Sequence, residues 1–279
     1  CKFNNNTSNE GKGGALYIEC DSIEIDECIF NSNSKGAKST GTEIASLEDR
    51  SVVFIRKISH KDIKITDSSF YDNEGQSISI SDSSTNVSIT GCSFTSNKAT
   101  TNITSIIQIS IEFECNFSNN YFKLNEGYVL NITAKENIDI EDCTFESNKG
   151  IVISKPEQDP GEITEFQSLS QSYNAAEGEI SKVIRARNHY CIIVKNEKTF
   201  TLNNCTFINT IEGAIKLEVG EDTSITNCEF RNSEIEKEES LTEGEMSTIL
   251  IEKNAGEFSI EGCEFNNLYR TVVSSEKDT

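Results

Sequence analysis

Tryptophan is absent from this chain, and methionine occurs once, proline twice and histidine twice in 279 residues. Without Trp or Met, any interior must be filled by Ile, Phe, Val and Cys. Two histidines, His60 and His189, leave little material for a nucleophilic triad. His60 lies beside Lys61 and Asp62, and His189 in Arg187-Asn188-His189-Tyr190, which reads as loop or surface sequence rather than a general base. No apolar run is long enough to cross a bilayer as a helix. No Cys-x-x-Cys pair provides zinc-ligand spacing, and the spaced Asp pattern with Gly of a calcium loop is missing. Basic residues are outnumbered, 25 against 46 acidic, for a net charge of −21. Such a surface repels nucleic acid and anionic membranes. Neither a metal nor a cofactor is expected.

What is present is a repeat. Ile23-Glu24-Ile25-Asp26-Glu27-Cys28-Ile29-Phe30 recurs as Ile138 to Phe145, as Ser224-Ile225-Thr226-Asn227-Cys228-Glu229-Phe230 and as Phe258 to Phe265. The unit is apolar-x-apolar-x-x-Cys-x-Phe. Its alternation is the period of a strand with one buried face. The break before the Cys is filled mostly by turn-forming types. Each unit therefore reads as a strand, a corner and a second short strand. A third strand follows in most units, at Gly13 to Ile18, Val52 to Ile55, Gln76 to Ile80, Gly127 to Ile132, Tyr190 to Val194, Gly213 to Leu217 and Thr248 to Ile251.

Cys205 and Cys228 are 23 residues apart, as are Asn120 and Cys143, and a period in the low twenties suits a solenoid coil. The Leu-rich signature of leucine-rich repeats is absent, and so is helical spacing. Nine anchors follow: Cys1, Cys28, Ser68, Cys92, Asn120, Cys143, Cys205, Cys228 and Cys263. The reading is an all-β chain, one parallel β-helix over residues 1–279 with about nine to eleven coils. Phe113 to Phe122 fits if Cys115 and Phe117 replace the two Ile residues. A hydrophobic content of 35% is low for a globule but suffices for a narrow solenoid core.

Three insertions interrupt the repeat, at about 34–50, 155–182 and 233–246. The second follows Ile151-Val152-Ile153 and contains both Pro156 and Pro160. Between Cys143 and Cys205 the chain fits either one coil with a large insertion, which we favour, or two coils with a smaller one. At least the first and third insertions leave after the Cys-x-Phe strand and so protrude from one corner. That corner is either a binding face or simply the most tolerant of length. Cys1 lies inside a repeat, and the residues after Phe265 barely begin another coil. We expect a fragment of a longer chain, or ends covered by other chains.

The anchor cysteines should form an interior column. They are either buried thiols acting as small hydrophobes or inter-coil disulfides, with Cys205 and Cys228 the candidate pair and Cys20 with a neighbour a further option. N-glycosylation sequons fall at Asn5, Asn6, Asn86, Asn102 and Asn131, with two more, Asn116 and Asn204, inside strand templates.

Two motifs alternate along the chain. Gly-Gly-Ala-Leu stands at Gly13 to Leu16, echoed by Gly213-Ala214-Ile215. Phe-x-x-Asn stands at Phe3–Asn6, Phe30–Asn33, Phe70–Asn73, Phe94–Asn97, Phe122–Asn125 and Phe145–Asn148. Together they resemble the repeats of polymorphic outer-membrane proteins and related surface proteins of parasitic protists. The resemblance implies a right-handed β-helix displayed at the cell surface or outside the cell, working in adhesion or recognition. The chain departs from the pattern after Phe207, Phe230 and Phe265, where the Asn comes one residue early, at Asn209, Asn232 and Asn267. Implied partners are protein or glycan ligands at a surface, or neighbouring copies in an assembly. Two rival readings are a structural segment of a fibre and a carbohydrate-active enzyme of the pectate-lyase-like β-helix type. The enzyme needs carboxylates converging on one face, with Tyr17, Tyr71, Tyr121 and Tyr128 as aromatic candidates for its groove.

Overall fold

A computed structural model describes residues 1–8, 13–20, 22–35, 51–56, 62–99, 105–150, 152–154, 183–185, 190–210, 213–233, 247–268 and 271–275. The described residues form a parallel β-helix of nine coils. One turn of the chain contributes one strand to each of three parallel sheets, of eight, nine and nine strands. The first sheet runs from Ile23–Asp26 to Phe258–Glu261, the second from Lys2–Asn4 to Glu264–Leu268, and the third from Leu16–Ile18 to Thr271–Ser275.

Register follows the repeat. In the first sheet Val87 pairs with Cys115 and Ile89 with Phe117, and those two pair in turn with Ile138 and Ile140. Cys115 and Phe117 thus take the places of the two Ile residues and are buried. Thr144–Glu146 pairs directly with Thr206–Ile208, so the 62-residue interval between Cys143 and Cys205 is one coil with an insertion. Val152 and Ile153 are not part of a coil. Val152–Ser154 pairs antiparallel with Val183–Arg185, off the three main sheets, so this insertion already begins at Val152. Ser34–Lys35, placed in the first insertion by the sequence reading, extends the second corner and pairs with Thr7–Ser8. Ser233 ends the strand Glu229–Ser233 and pairs with Leu268. The last coil reaches further than expected, because Thr271–Ser275 pairs with the strand at Ser247 to Ile251.

The core is a set of columns. Nine phenylalanines, Phe3, Phe30, Phe70, Phe94, Phe122, Phe145, Phe207, Phe230 and Phe265, stack face to face. Centroids lie 4.6 to 5.1 Å apart and ring planes within 2° to 12° of parallel. That spacing is the strand separation of a sheet, so identical positions in successive coils must meet. Ile, Val and Leu columns fill the rest.

Both corners of the repeat turn through left-handed backbone. Before each anchor from Cys28 onward stands a residue with φ of 46° to 67°: Glu27, Asp67, Gly91, Asn119, Asp142, Asn204, Asn227 and Gly262. After the second-sheet strand stands another, with φ of 51° to 56°: Asn5, Ser32, Asp72, Ser96, Leu124, Ser147, Asn209, Asn232 and Asn267. Asn and Asp tolerate this region better than other side chains, and Gly has no Cβ to clash. The early asparagines of the last three coils are therefore these corner residues and not the motif asparagine. Gly13 (φ 75°) and Gly213 each have a steric cause. A Cβ on Gly13 would lie 2.0 Å from the Leu16 carbonyl oxygen, and one on Gly213 would lie 2.1 Å from the Tyr190 ring.

Candidate functional site

The motif asparagines form a ladder at the second corner. Asn33, Asn73, Asn97, Asn125 and Asn148 are buried. Asn73 donates its backbone N–H (3.1 Å) and its Nδ2 (2.9 Å) to Asn97 Oδ1, while Asn97 Nδ2 donates to the Phe70 carbonyl at 2.9 Å. The same pattern runs through the other rungs, from Asn6 to Asn148. After Phe207 the rung is Thr210, and the ladder ends.

The first corner carries the anchors. Cys28 donates its amide to Ser68 Oγ at 3.0 Å, and Cys92 to Asn120 Oδ1 at 2.9 Å. Further along, sulfur takes over. The amides of Cys143, Cys205 and Cys228 donate to Sγ of Cys205, Cys228 and Cys263 at 3.4, 3.5 and 3.4 Å. The candidate pair Cys205 and Cys228 is thus stacked as expected, but both are thiols, as are all ten cysteines. Each also has a second cysteine neighbour, Cys143 and Cys263, so the column singles out no one pair. Contacts with the thiols of Cys143 and Cys228, together with burial, push the Cys205 thiol up. A hydrogen bond from Cys205 holds Cys143 and Cys228 below the usual thiol range. Burial raises Cys92 to about 11 and Cys115 further. Cys20 is exposed and donates to the Ser22 carbonyl at 3.0 Å.

Among the sequons, Asn5 is exposed at a left-handed corner. Asn6 is exposed but is the terminal rung of the ladder, its Nδ2 donating to Asn33 Oδ1 at 2.8 Å. Asn86 is exposed and donates to Asp62 at 3.2 Å. Asn131 sits half-buried in the third sheet, and Asn102 lies outside the described residues. His60 and His189 lie outside them too.

A trough of about 700 Å³ runs where the third-sheet strands end. Ser110, Thr133, Lys195, Glu218 and Lys253 stand in register in successive strands along it. Four of its six charges are paired between coils, Lys135 with Glu112 at 2.7 Å and Lys195 with Glu218 at 3.0 Å, and Ser84 Oγ donates to Glu112 at 2.6 Å. The Lys135 hydrogen bond holds Glu112 below the usual carboxylate range, and Glu112 in turn raises Lys135. Neither is poised to exchange a proton near neutrality. Sequence reading missed this trough, because its residues come from strand ends six coils deep and share no motif.

The four tyrosines do not converge on it. Tyr17 is exposed and stacks on Phe54 at 5.8 Å. Tyr71 borders a separate hollow of about 380 Å³ on the second sheet. Tyr121 donates to Glu146, which Lys123 also holds at 2.8 Å. Tyr128 starts a third-sheet strand. Among the described residues no group of three or more His, Cys, Asp and Glu is placed to hold a metal ion, and no helix is long and apolar enough to cross a membrane. The chain matches no family model, and comparison with the curated proteins and with the solved structures gives no match.

Proposed function

We propose that this chain is a non-catalytic module, at or outside the cell surface, that serves adhesion, recognition or scaffolding. The observation that supports it most is where the insertions leave. Each of the three interrupts the passage from the second sheet to the third: after Ser34–Lys35, after Thr144–Glu146 and after Glu229–Ser233. A rod held by in-register columns thus carries its inserted sequence along one seam, the arrangement solenoids use to present binding loops. The Lys135–Glu112 and Lys195–Glu218 pairs in the trough argue against acid–base chemistry by those four groups. The Phe-x-x-Asn resemblance to surface-protein repeats points the same way.

The test is a screen of the isolated chain on immobilised glycans and host-cell surfaces, with soluble-sugar turnover assayed in parallel. Retention without turnover is the expected result. Turnover without retention overturns the proposal in favour of a carbohydrate-active enzyme.

A further inference from the structure

Building on the surface-recognition reading above, we infer that the trough at the end of the third sheet is a cleft for an extended, uncharged oligosaccharide lying along the helix axis. Four observations carry this. The first is shape. Ser84, Glu112, Lys135, Lys195, Glu218 and Lys253 belong to six successive coils, so the trough crosses five coil steps, roughly 24 Å. A compact metabolite would fill a fraction of that length, whereas an extended glycan advances by about one ring per coil.

The second is charge. The chain has 46 acidic against 25 basic residues, yet the trough is lined by three of each, Lys135, Lys195 and Lys253 with Glu112, Glu197 and Glu218. An anionic polymer would meet these carboxylates and the acidic field beyond them. An uncharged one meets alternating donors and acceptors, which is what a row of hydroxyls needs.

The third is the floor. Ile111, Ala134 and Val219, each 5% exposed or less, lie between the polar walls. An apolar strip flanked by hydrogen-bonding groups matches a sugar ring, with its C–H face and hydroxyl edge.

The fourth is an orphan acceptor. Asn196 lines the trough and is 5% exposed. Its Nδ2 donates to the Thr199 carbonyl at 2.7 Å, while its Oδ1 has no donor among the described residues. A buried acceptor without a partner is costly; Oδ1 is closed to solvent, and a small side-chain shift toward the trough would let a hydroxyl satisfy it. An extended peptide is the poorer fit. Peptides gain affinity by pairing with a free strand edge, and the strands lining the middle of the trough, from Ser105–Ile111 to Gly213–Val219, are paired on both sides.

The experiment titrates the whole chain by calorimetry with β-1,4-linked oligomers of glucose and of N-acetylglucosamine, two to six rings long, with oligogalacturonate as the charged comparison. Affinity should rise at least tenfold from two rings to five, and oligogalacturonate should bind at least tenfold more weakly. Ser110→Trp, at an exposed position, should fill the trough and lower affinity at least tenfold. Glu218→Gln, which keeps the shape, should lower it about threefold. Both variants should melt at the parent temperature. If the oligomers bind equally well to Ser110→Trp, or if an extended peptide binds in their place, the assignment is overturned. If the parent chain adheres to cell surfaces and Ser110→Trp adheres equally, the cleft falls and the surface role stands. If the oligomers bind in the trough and are cleaved, the cleft stands and the non-catalytic reading falls. If the parent chain binds neither oligomer nor surface, both fall.

Discussion

The first six coils and the last three share a phenylalanine stack but close their corners differently. Up to Asn148 the second corner is held by side-chain amides, each accepting two N–H groups and donating to a carbonyl. Beyond it the equivalent position is Thr210, then Ser233 and Leu268, and no amide ladder runs there. At the first corner the trend reverses. The early anchors are mixed, Ser68 and Asn120 among them, whereas Cys143, Cys205, Cys228 and Cys263 run as an unbroken thiol column. One backbone path thus tolerates two ways of satisfying the same buried amides. A hydroxyl or amide oxygen bonds at 2.9 to 3.0 Å, and sulfur, a weaker acceptor, at 3.4 to 3.5 Å.

The largest effects should come from what the two regions share. Phe94→Ala and Phe207→Ala each remove a fully buried ring with stacked neighbours on both sides. Each should cost about 3–5 kcal/mol in chemical denaturation. Equal costs fit one continuous stack, and a much cheaper Phe207→Ala would split the core in two.

The ladder should separate the regions. Asn97→Ala leaves the Asn73 amide without its acceptor and removes one bond each from Asn73 Nδ2, which keeps the Phe30 carbonyl, and from the Phe70 carbonyl, at about 3 kcal/mol. Thr210→Ala, at the same station beyond the ladder, should cost under about 1 kcal/mol. Equal losses at the two sites would abolish the distinction.

The thiol column should be easier to replace. Cys205→Ala removes the acceptor of the Cys143 amide and should cost about 1–3 kcal/mol. Cys205→Ser, which copies the working geometry of Ser68, should recover most of that. In the reduced native chain a thiol reagent should label the exposed Cys1 and Cys20 quickly and the buried cysteines only after unfolding. Rapid native labelling of Cys205 would break the column.

Leu124 is an exception among the corners, an exposed leucine at φ 56° where asparagine, aspartate and serine prevail. Nothing in the structure explains it, and Leu124→Asn should raise stability by about 1 kcal/mol. The smallest effect belongs to the surface ladder Lys98–Glu126–Lys149, with ion pairs of 3.3 and 3.1 Å. Partial burial alone would raise Glu126, but the two lysines outweigh it and hold the carboxyl below its usual value. A lowered folded value means stability present above the unfolded carboxylate pKa and lost as pH falls through the folded one. Glu126→Gln should therefore cost about 0.5 kcal/mol at pH 7 and progressively less as pH falls through the folded value, by thermal melting.

The spiral itself was legible because its signals are local and repeated. Alternation marked the strands, and the Phe and Cys positions fixed the register even across Cys115 and Phe117. What was not legible is set by geometry across coils. Phe-x-x-Asn was visible as a pattern, but that Asn97 reaches back to the carbonyl of Phe70 appears only once coils are stacked. Val152 and Ile153 have the alternation and β-branching of a coil strand and still pair off the helix, because composition does not say which edge a strand will find. The trough draws on residues from six coils whose identities have no common period.

Each rung of the asparagine ladder makes the same bonds to its predecessor, whatever its place in the chain. A polypeptide built this way behaves like a ruler. Excising the stretch from Asn97 up to Asn125 would bring Asn125 onto Asn73 with every bond renewed, shortening the rod by a single graduation. Length can thus change in whole increments, by duplication or loss of repeats, while the surface on either side of the cut stays as it was.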